Sequence, residues 1–547
     1  MGLLGTAVSG LLASQRNLDT VSHNIANVNT EGYSRQRVDL AAREPQITGA
    51  GYLGQGVTSS AITRVYDEFL NNQVITSKSA FSDLDSFHIL ASQVDNFIAD
   101  SGTSLSPALQ SFFNAVQELA NDPTSIPARQ VLLTEGETLA DRFKTINGRL
   151  DSLRNQANQN LTDITNEINS ISESVAELNS KIILATGLGD GQSPNDLLDQ
   201  RDVLLNQLAE KVDVITSTQQ DGSLNVFIGN GQPVVLGPTA STLGIANSTF
   251  DPGQKDITFN GPFNSVVITG NLSGGEIGGT LRFLKDTLDP TQNELGRVAV
   301  GLAQDFNAQH QAGYDLIGNT NIDFFAPPTT TVLGAAGSTG QISVAFSNVN
   351  QLTASDYRLD QNGGNTVLTR LTDNTQTTLS PGFPGTPATI DGLTITETTA
   401  LVSGDSILIQ PTRNVAGQLA VSLTNSNGIA ASGANTSTGA VGNNTNALAL
   451  VALENNRNLL NGTASFQDAF GQTVATVGTV THAAEINRTA QEGLLNQAKE
   501  ARESVSGVNL DEEAANLIKF QQAYQAAAQM IAVSSTLFDT LLGAFRR

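Results

Sequence analysis

Two heptad repeats, one at each end of the chain, limit what it can fold into more than any other feature. Leu4, Leu11, Leu18 and Ile25 recur every seven residues, with Ala7, Ser14, Val21 and Val28 on the second seam position. A seven-residue apolar period marks a helix whose narrow stripe must meet another helix. Leu510, Leu517, Tyr524, Ile531 and Phe538, continued by Phe545, carry the same period, with Ala514, Gln521, Ala528, Ser535 and Leu542 beside them. The large residues of the second stripe fit against the small ones of the first, so the spacing predicts that the termini pair in a coiled-coil seam. Asp511, Glu512 and Glu513 fall in the first turn of the second helix, and Arg546 and Arg547 in its last. That charge order suits the helix dipole.

The most regular heptads lie inside the chain. Ala157, Leu161, Ile164, Ile168, Ile171, Val175, Leu178 and Ile182 alternate spacings of four and three. They predict a seam-forming helix from roughly Thr138 to Leu184, about 70 Å long at about 1.5 Å per residue. A second long helix, from about Val65 to Ala99, is its expected neighbour. After a further helical stripe on Leu197, Leu198, Leu204, Leu205 and Leu208, the period drops to two at Val212, Val214, Leu224, Val226, Ile228, Val234 and Leu236. Asp221-Gly222 and Asn230-Gly231 punctuate that run, and such dipeptides favour the tight turns of an antiparallel meander.

From about Asn319 to Thr412 the chain is rich in Thr, Gly, Asn and Pro, with short alternating runs such as "QISVAF" and "DSILIQ". This reads as an all-β insertion, followed by a linker from Ala431 to Asn446 and a return to helical pattern up to about Glu503. The expected fold class is α+β multidomain, with a long helical coiled-coil or bundle core built from both termini and an inserted all-β domain. The expected domains are nested: 1–60 with 505–547, 61–318 with 431–504 (carrying the small meander), and 319–430 as the β-rich outer domain. A length of 547 residues agrees with roughly three or four domains.

Composition removes several function classes. The chain carries 52 Asp+Glu against 28 Lys+Arg, a formal net charge of -24, and no basic stretch. Nucleic acid and anionic membranes both select for clustered cations, so neither is an expected partner. The absence of Cys excludes disulfides, thiolate metal sites and a Cys nucleophile. No Trp and only 5% aromatics argue against a small-molecule specialist. No run of about 18 apolar residues is found and Met1 to Ser14 lacks the features of a Sec signal, so membrane insertion is not expected. "GAGYLG", Gly49 to Gly54, fits G-x-G-x-x-G, but an alternating extended pattern follows it where a dinucleotide site needs a helix. His23, His88, His310 and His482 show no ligand spacing and read as surface or interface histidines. No catalytic residue, cofactor or metal is expected.

One polar cluster remains. "SHNIANVNTEGYSRQRVDL", Ser22 to Leu40, gathers His23, Asn24, Asn27 and Asn29 at the end of the first helix, before Gly32. With Leu18 and Ile25 at position a, His23 falls at f, Asn24 at g and Asn27 at c, off the seam that faces the intrachain partner. These residues either end the helix, with Gly32 supplying a left-handed turn, or hydrogen-bond a second molecule.

"SHNIANVNTEGYSRQ" resembles the N-terminal signature of bacterial flagellar axial proteins: rod, hook and hook-associated proteins. "SVSGVNLDEEAANLIKFQQAYQAAAQMI" is more specifically similar to the hook-associated protein 1 family of the hook-filament junction. "NDLLDQRD", Asn195 to Asp202, and "LAQDFNAQHQAGYDL", Leu302 to Leu316, fit it too. The matches cover roughly a quarter of the chain, and the β insertion carries none.

The resemblance implies a structural protein rather than an enzyme. Its terminal helices would pair into the inner tube of a hollow axial structure outside the cell, after unfolded type III export. The implied partners are copies of itself, the hook protein, the next hook-associated junction protein, and a flagellar export chaperone at the C-terminal region. Asn24, Asn27, Tyr33 and Arg35 are then expected at a contact with a neighbouring protomer or the hook. An alternative is an extracellular adhesin or glycan-active protein working through the β insertion. An isolated terminal pair buries a single stripe, at roughly 1.5–3 kcal/mol per large side chain, against about 1–2 kcal/mol of backbone entropy per ordered residue. Residues 1–60 and 505–547 are therefore expected to be mobile in the monomer.

Overall fold

The computed structural model describes residues 3–545 apart from 50, 101, 103, 189–191, 262–263, 380–382 and 384. Arg546 and Arg547 lie outside the described residues. Helix α1 (Leu3–Ala26) leads into β1 (Gln36–Ala42), the short antiparallel hairpin β2 (Gln46–Thr48) and β3 (Gly51–Leu53), and β4 (Val57–Arg64), which pairs antiparallel with β1. Four helices follow: α2 (Glu68–Ala99), α3 (Ser106–Asn121), α4 (Ile126–Leu188) and α5 (Asn195–Lys211). Beyond the first sheets come α6 (Gly275–Phe283) and α7 (Asp289–Gln311), joined by a π turn at Leu284–Leu288. The chain closes with a single turn α8 (Val415–Gln418), α9 (Thr445–Ala452), α10 (Phe466–Ser506) and α11 (Leu510–Phe545).

Helix α4 runs 63 residues, about 95 Å at about 1.5 Å per residue, and starts well before the expected Thr138. Leu132, Leu139, Phe143, Ile146 and Leu150 carry its buried stripe upstream, and the expected seam residues from Ala157 to Ile182 are buried except Ile171, which packs at the margin of the core. Its main partners are α3, α5 and the strands after α5. The expected pairing with α2 is corrected: α2 packs chiefly on α10 and α6. Val74 meets Leu495 and Ala498 of α10. On the other side α6 comes close because Gly279 has no side chain; a Cβ there would sit 2.2 Å from the Asp83 carbonyl oxygen.

The meander is present as four antiparallel strands from Val214 to Ala240, with Gly222 and Gly231 at positive φ in its turns. Three more strands lie between Thr242 and Val267. Between Thr331 and Gln410 the chain forms a five-stranded and a three-stranded antiparallel sheet. Val344, Leu359, Leu368, Ile395, Ile407 and Ile409 are buried there, the inward halves of the alternating runs.

The insertion is tied to the helices by buried groups. Arg413, in the turn that follows the last strand of the insertion, pairs with Asp356 of the insertion and with Asp289 at 2.8 Å, and Arg154 of α4 reaches Asp289 at 2.5 Å. Phe112, Phe306, Phe324 and Phe325 form one cluster with ring centroids 4.9–5.9 Å apart. His310 stands beside it and is fully buried, which corrects its reading as a surface or interface histidine. Its Nδ1 lies 2.7 Å from the Ile322 carbonyl oxygen, and its Nε2 accepts from the Ala430 amide at 2.9 Å. Burial lowers its pKa to about 4, so the ring is neutral and bridges the two connections of the insertion. The segment after Ala431 is packed too: Ser432 and Thr436 are buried, and Ser432 bridges Tyr314.

Candidate assembly interface

Helices α1 and α11 pack side by side. Asn24, near the end of α1, contacts Glu513, near the start of α11, so the two run antiparallel. The residues α1 buries are Ala7, Ser9, Ala13, Ser14, Asn17, Thr20, Val21 and Asn24. This corrects the expected seam. Ala7, Ser14 and Val21 face inward as the second seam position, but Leu4 is 51% exposed and Leu11, Leu18 and Ile25 sit at the margin. On α11, Leu510 and Phe538 are 51% and 64% exposed, Tyr524 is exposed, and Leu517 and Ile531 are marginal; Glu513 and Ala527 are buried. The reason is a third element: β1 and β4 also pack on α1, which rotates its covered face toward small and polar residues. Those polar side chains satisfy themselves on their own helix. Ser14, Asn17 and Thr20 each donate to the carbonyl four residues back, at 2.8–2.9 Å.

At the α1 end a polar lock joins both termini to the body. Asn24 is 1% exposed, which corrects its placement off the intrachain seam. Its Oδ1 accepts from the Gln36 amide at 2.9 Å and from the Tyr33 hydroxyl at 2.7 Å. Its Nδ2 donates to the Gln36 carbonyl at 3.0 Å and to Glu513 Oε2 at 3.2 Å. Every polar valence of the amide is thereby used inside the chain. Arg35 donates through Nε to Glu513 Oε1 at 2.8 Å and through Nη1 to Glu512 Oε2 at 2.6 Å. Burial first, then the carboxylates of Asp196, Asp199 and Glu513, raise the Tyr33 phenol, which stays neutral and able to donate.

Asn27 has the helix-ending role: its Nδ2 donates to the His23 carbonyl at 3.0 Å. Gly32 then turns the chain at φ +77, and a Cβ there would sit 2.2 Å from Val203 Cγ2 of α5. Ser34 donates its amide to Asp199 Oδ2 at 2.9 Å, and Arg64 of β4 donates to Asp199 at 2.9 Å and Asp202 at 2.6 Å. Burial raises both carboxyls, with Arg64 opposing the rise. Sequence reasoning singled out Asn24, Tyr33 and Arg35 but missed the carboxylates of the lock. The signal was there: "LDEE" supplies Glu512 and Glu513, which accept from Asn24 and Arg35, and "NDLLDQRD" supplies Asp199 and Asp202, which accept from the Ser34 amide and Arg64.

Away from the lock the terminal pair is apolar and open. Leu3, Leu4 and Leu12 of α1, with Val533, Leu537, Phe538, Leu541 and Leu542 of α11, are all at least half exposed. A stretch within Phe466–Ala544 reaches a mean hydropathy of 1.2 over 18 residues with 6% of it buried. By length and composition alone it could cross a membrane, although no run of about 18 apolar residues is present. A contiguous open apolar face marks an interaction surface. Beside the lock, His23, Glu31, Asp196, Leu178, Val203 and Leu204 border a groove of about 520 Å³. Among the described residues no group of three or more His, Asp or Glu side chains is placed to hold a metal ion.

Comparison with known proteins identifies the arrangement. The flagellar hook-associated protein 1 of Salmonella typhimurium is 36% identical to this chain over 550 residues, covering 99% of each. The chain belongs to the flagellar hook-associated protein 1 family. The Escherichia coli hook-associated protein 1 is 34% identical over 99% of each chain. The solved structure of the flagellar hook junction protein FlgK from Burkholderia pseudomallei superposes with a TM-score of 0.73 at 26% identity, over 80% of this chain and all of that one.

Family-level matches follow the architecture. The flagellar hook-associated protein FlgK helical domain matches 91–325, the flagella basal body rod protein family 4–33, and the flagellar basal body rod FlgEFG protein C-terminal family 501–544. The last two cover the paired helices and the Gly32 turn. Residues 334–411 match the D2-like domain of hook-associated protein 1 itself. The β insertion is therefore a family domain, and the adhesin or glycan-active alternative is withdrawn.

Proposed function

We propose that the α1–α11 pair is the element by which this structural protein enters the flagellar axis at the hook-filament junction, outside the cell. The observation that carries the reading is the contrast along the pair. One end is locked to the body through Asn24, Arg35 and Glu513, while the remainder exposes Leu4, Leu12, Leu537, Phe538 and Leu541 to whatever lies beside it. Neighbouring copies, the hook protein and the next junction protein are the partners that would cover that face, and an export chaperone would shield the C-terminal region beforehand. In this reading Asn24, Tyr33 and Arg35 act at the interface indirectly, by setting the angle of the pair, and Asn27 acts by ending α1.

The test is complementation of a motile strain deleted for its own junction protein. This chain should restore swimming, and Phe538→Asp with Leu541→Asp should abolish it while circular dichroism of the purified protein stays unchanged. No swimming with the unaltered chain would overturn the reading, as would full swimming with the doubly charged variant.

A further inference from the structure

The motif "GAGYLG", which no function has absorbed, lies in the β2–β3 hairpin, and this hairpin has the form of a docking finger. Ile47 and Tyr52 are directly paired across the two strands, so they share one face. They are 72% and 75% exposed, and Leu53 on the opposite face is 56% exposed. A two-stranded hairpin in water is only marginally stable, and three bulky exposed side chains on one so small are a strong sign of a covering surface. Arg43, at its base, is exposed as well.

The same chain carries a socket of matching chemistry. The groove beside the lock has an apolar floor of Leu178, Val203 and Leu204, and its rim carries the carboxylates of Glu31 and Asp196. Asp196 is mostly exposed. The finger cannot reach the socket of its own chain. Its base is carried away from the lock by the paired strands β1 and β4, seven residues from Gln36 to Ala42, or about 23 Å at about 3.3 Å per residue. Val57, at the far end of β4, is held to Ser9 of α1, at 3.2 Å, so the ribbon lies along the helix and away from the groove.

We propose that the Gln46–Leu53 hairpin of one copy seats Ile47 and Tyr52 in the Leu178–Val203–Leu204 groove of a second copy, with Arg43 facing Glu31 and Asp196. Finger and socket are different surfaces, so the contact is head-to-tail, and repetition produces a ring or helical array rather than a closed two-fold dimer. The inference rests on the axial reading above and adds the contact that sets the order of subunits.

The absence of cysteine makes the test clean. Two chains, one carrying Leu53→Cys and the other Gln200→Cys at the groove edge, are co-expressed in the deletion strain, and flagella are treated with a short bifunctional thiol cross-linker. The expected result is a linked peptide joining residue 53 of one chain to residue 200 of the other. It should fall at least fivefold when Tyr52→Ala is added to the first chain. Independently, Arg43→Glu should reduce swimming at least fivefold, and adding Glu31→Arg with Asp196→Arg in the same chain should recover it. Motile cells whose flagella yield no 53–200 peptide, or full swimming by Arg43→Glu, would overturn the finger-and-socket contact while leaving the axial reading intact. Failure of the unaltered chain to restore swimming counts against the axial reading instead.

Discussion

Helix α4 and the α1–α11 pair carry the same heptad signal and use it in opposite ways. Along α4 the large residues of the repeat, Leu161, Ile164, Ile168 and Val175, turn inward and are buried. Along the terminal pair the small and polar residues turn inward, and the leucines of the repeat and Phe538 are left at the margin or in the open. Burial of large apolar side chains is what stabilises a monomer, at roughly 25 cal/mol per Å² removed from water. The body is thus held together by its own chain, whereas the terminal pair leaves much of its apolar area exposed.

That contrast can be broken at four points. The largest effect is expected in the body: Leu161→Ala should lower the unfolding free energy by about 2–5 kcal/mol in a denaturant titration, because a fully buried side chain leaves a cavity. A change under about 1 kcal/mol would mean the α4 seam is not a packed core.

Next is the buried ionic tie of the insertion. Burial pushes the Asp356 carboxyl up to about 6, with Asp289 adding to the rise and Arg413 opposing it. The folded state therefore binds this proton more tightly than the unfolded chain does. The contribution of Asp356 to stability is fully present below about pH 4 and is lost as pH rises through about 6. Through this group the protein should lose on the order of 2–3 kcal/mol between pH 4 and pH 7, and Asp356→Asn should lack that component. Parallel stability-pH curves for the two proteins would contradict it.

The lock comes third. Asn24→Ala leaves Glu513, the Tyr33 hydroxyl and the Gln36 backbone short of a partner, at about 1–3 kcal/mol. Amide exchange over Leu510–Phe520 should accelerate by roughly ten- to a hundredfold, as each 1.4 kcal/mol is about a factor of ten. In the unaltered monomer, exchange across α1 and α11 should already be faster than across α4. Equal protection of the two regions would remove the comparison.

The smallest effect on stability belongs to the open face. Phe538→Ala should change the monomer's unfolding free energy by no more than about 0.5 kcal/mol and still impair swimming.

Much of this was legible from residue spacing. The terminal pairing, the long central helix, the meander with its Asp-Gly and Asn-Gly turns and the β insertion all follow from periods of seven or two and from turn dipeptides. Local chemistry also marked Gly32, since only a left-handed turn was needed to read it. His310 was misread because burial is set by elements distant in sequence, here the two connections of the insertion that its ring bridges. The neighbour of α2 was misassigned for the same reason: periodicity says that a stripe is covered, not by which helix.

At the lock the difference is plainest. The sequence by itself determined which segments are helices, that both ends carry apolar stripes, and that a polar cluster with a glycine turn follows the first of them. Only the tertiary structure decided which way each stripe faces. A heptad repeat defines two adjoining stripes, and the choice between them depends on everything else packed against the helix. Here β1 and β4 occupy one flank of α1, so Asn24 is rotated inward, where Tyr33, the Gln36 backbone and Glu513, 489 residues away in the chain, complete its hydrogen bonds. The leucines are rotated outward by the same packing, and the helix pair that closes the chain on itself is left with an open apolar face.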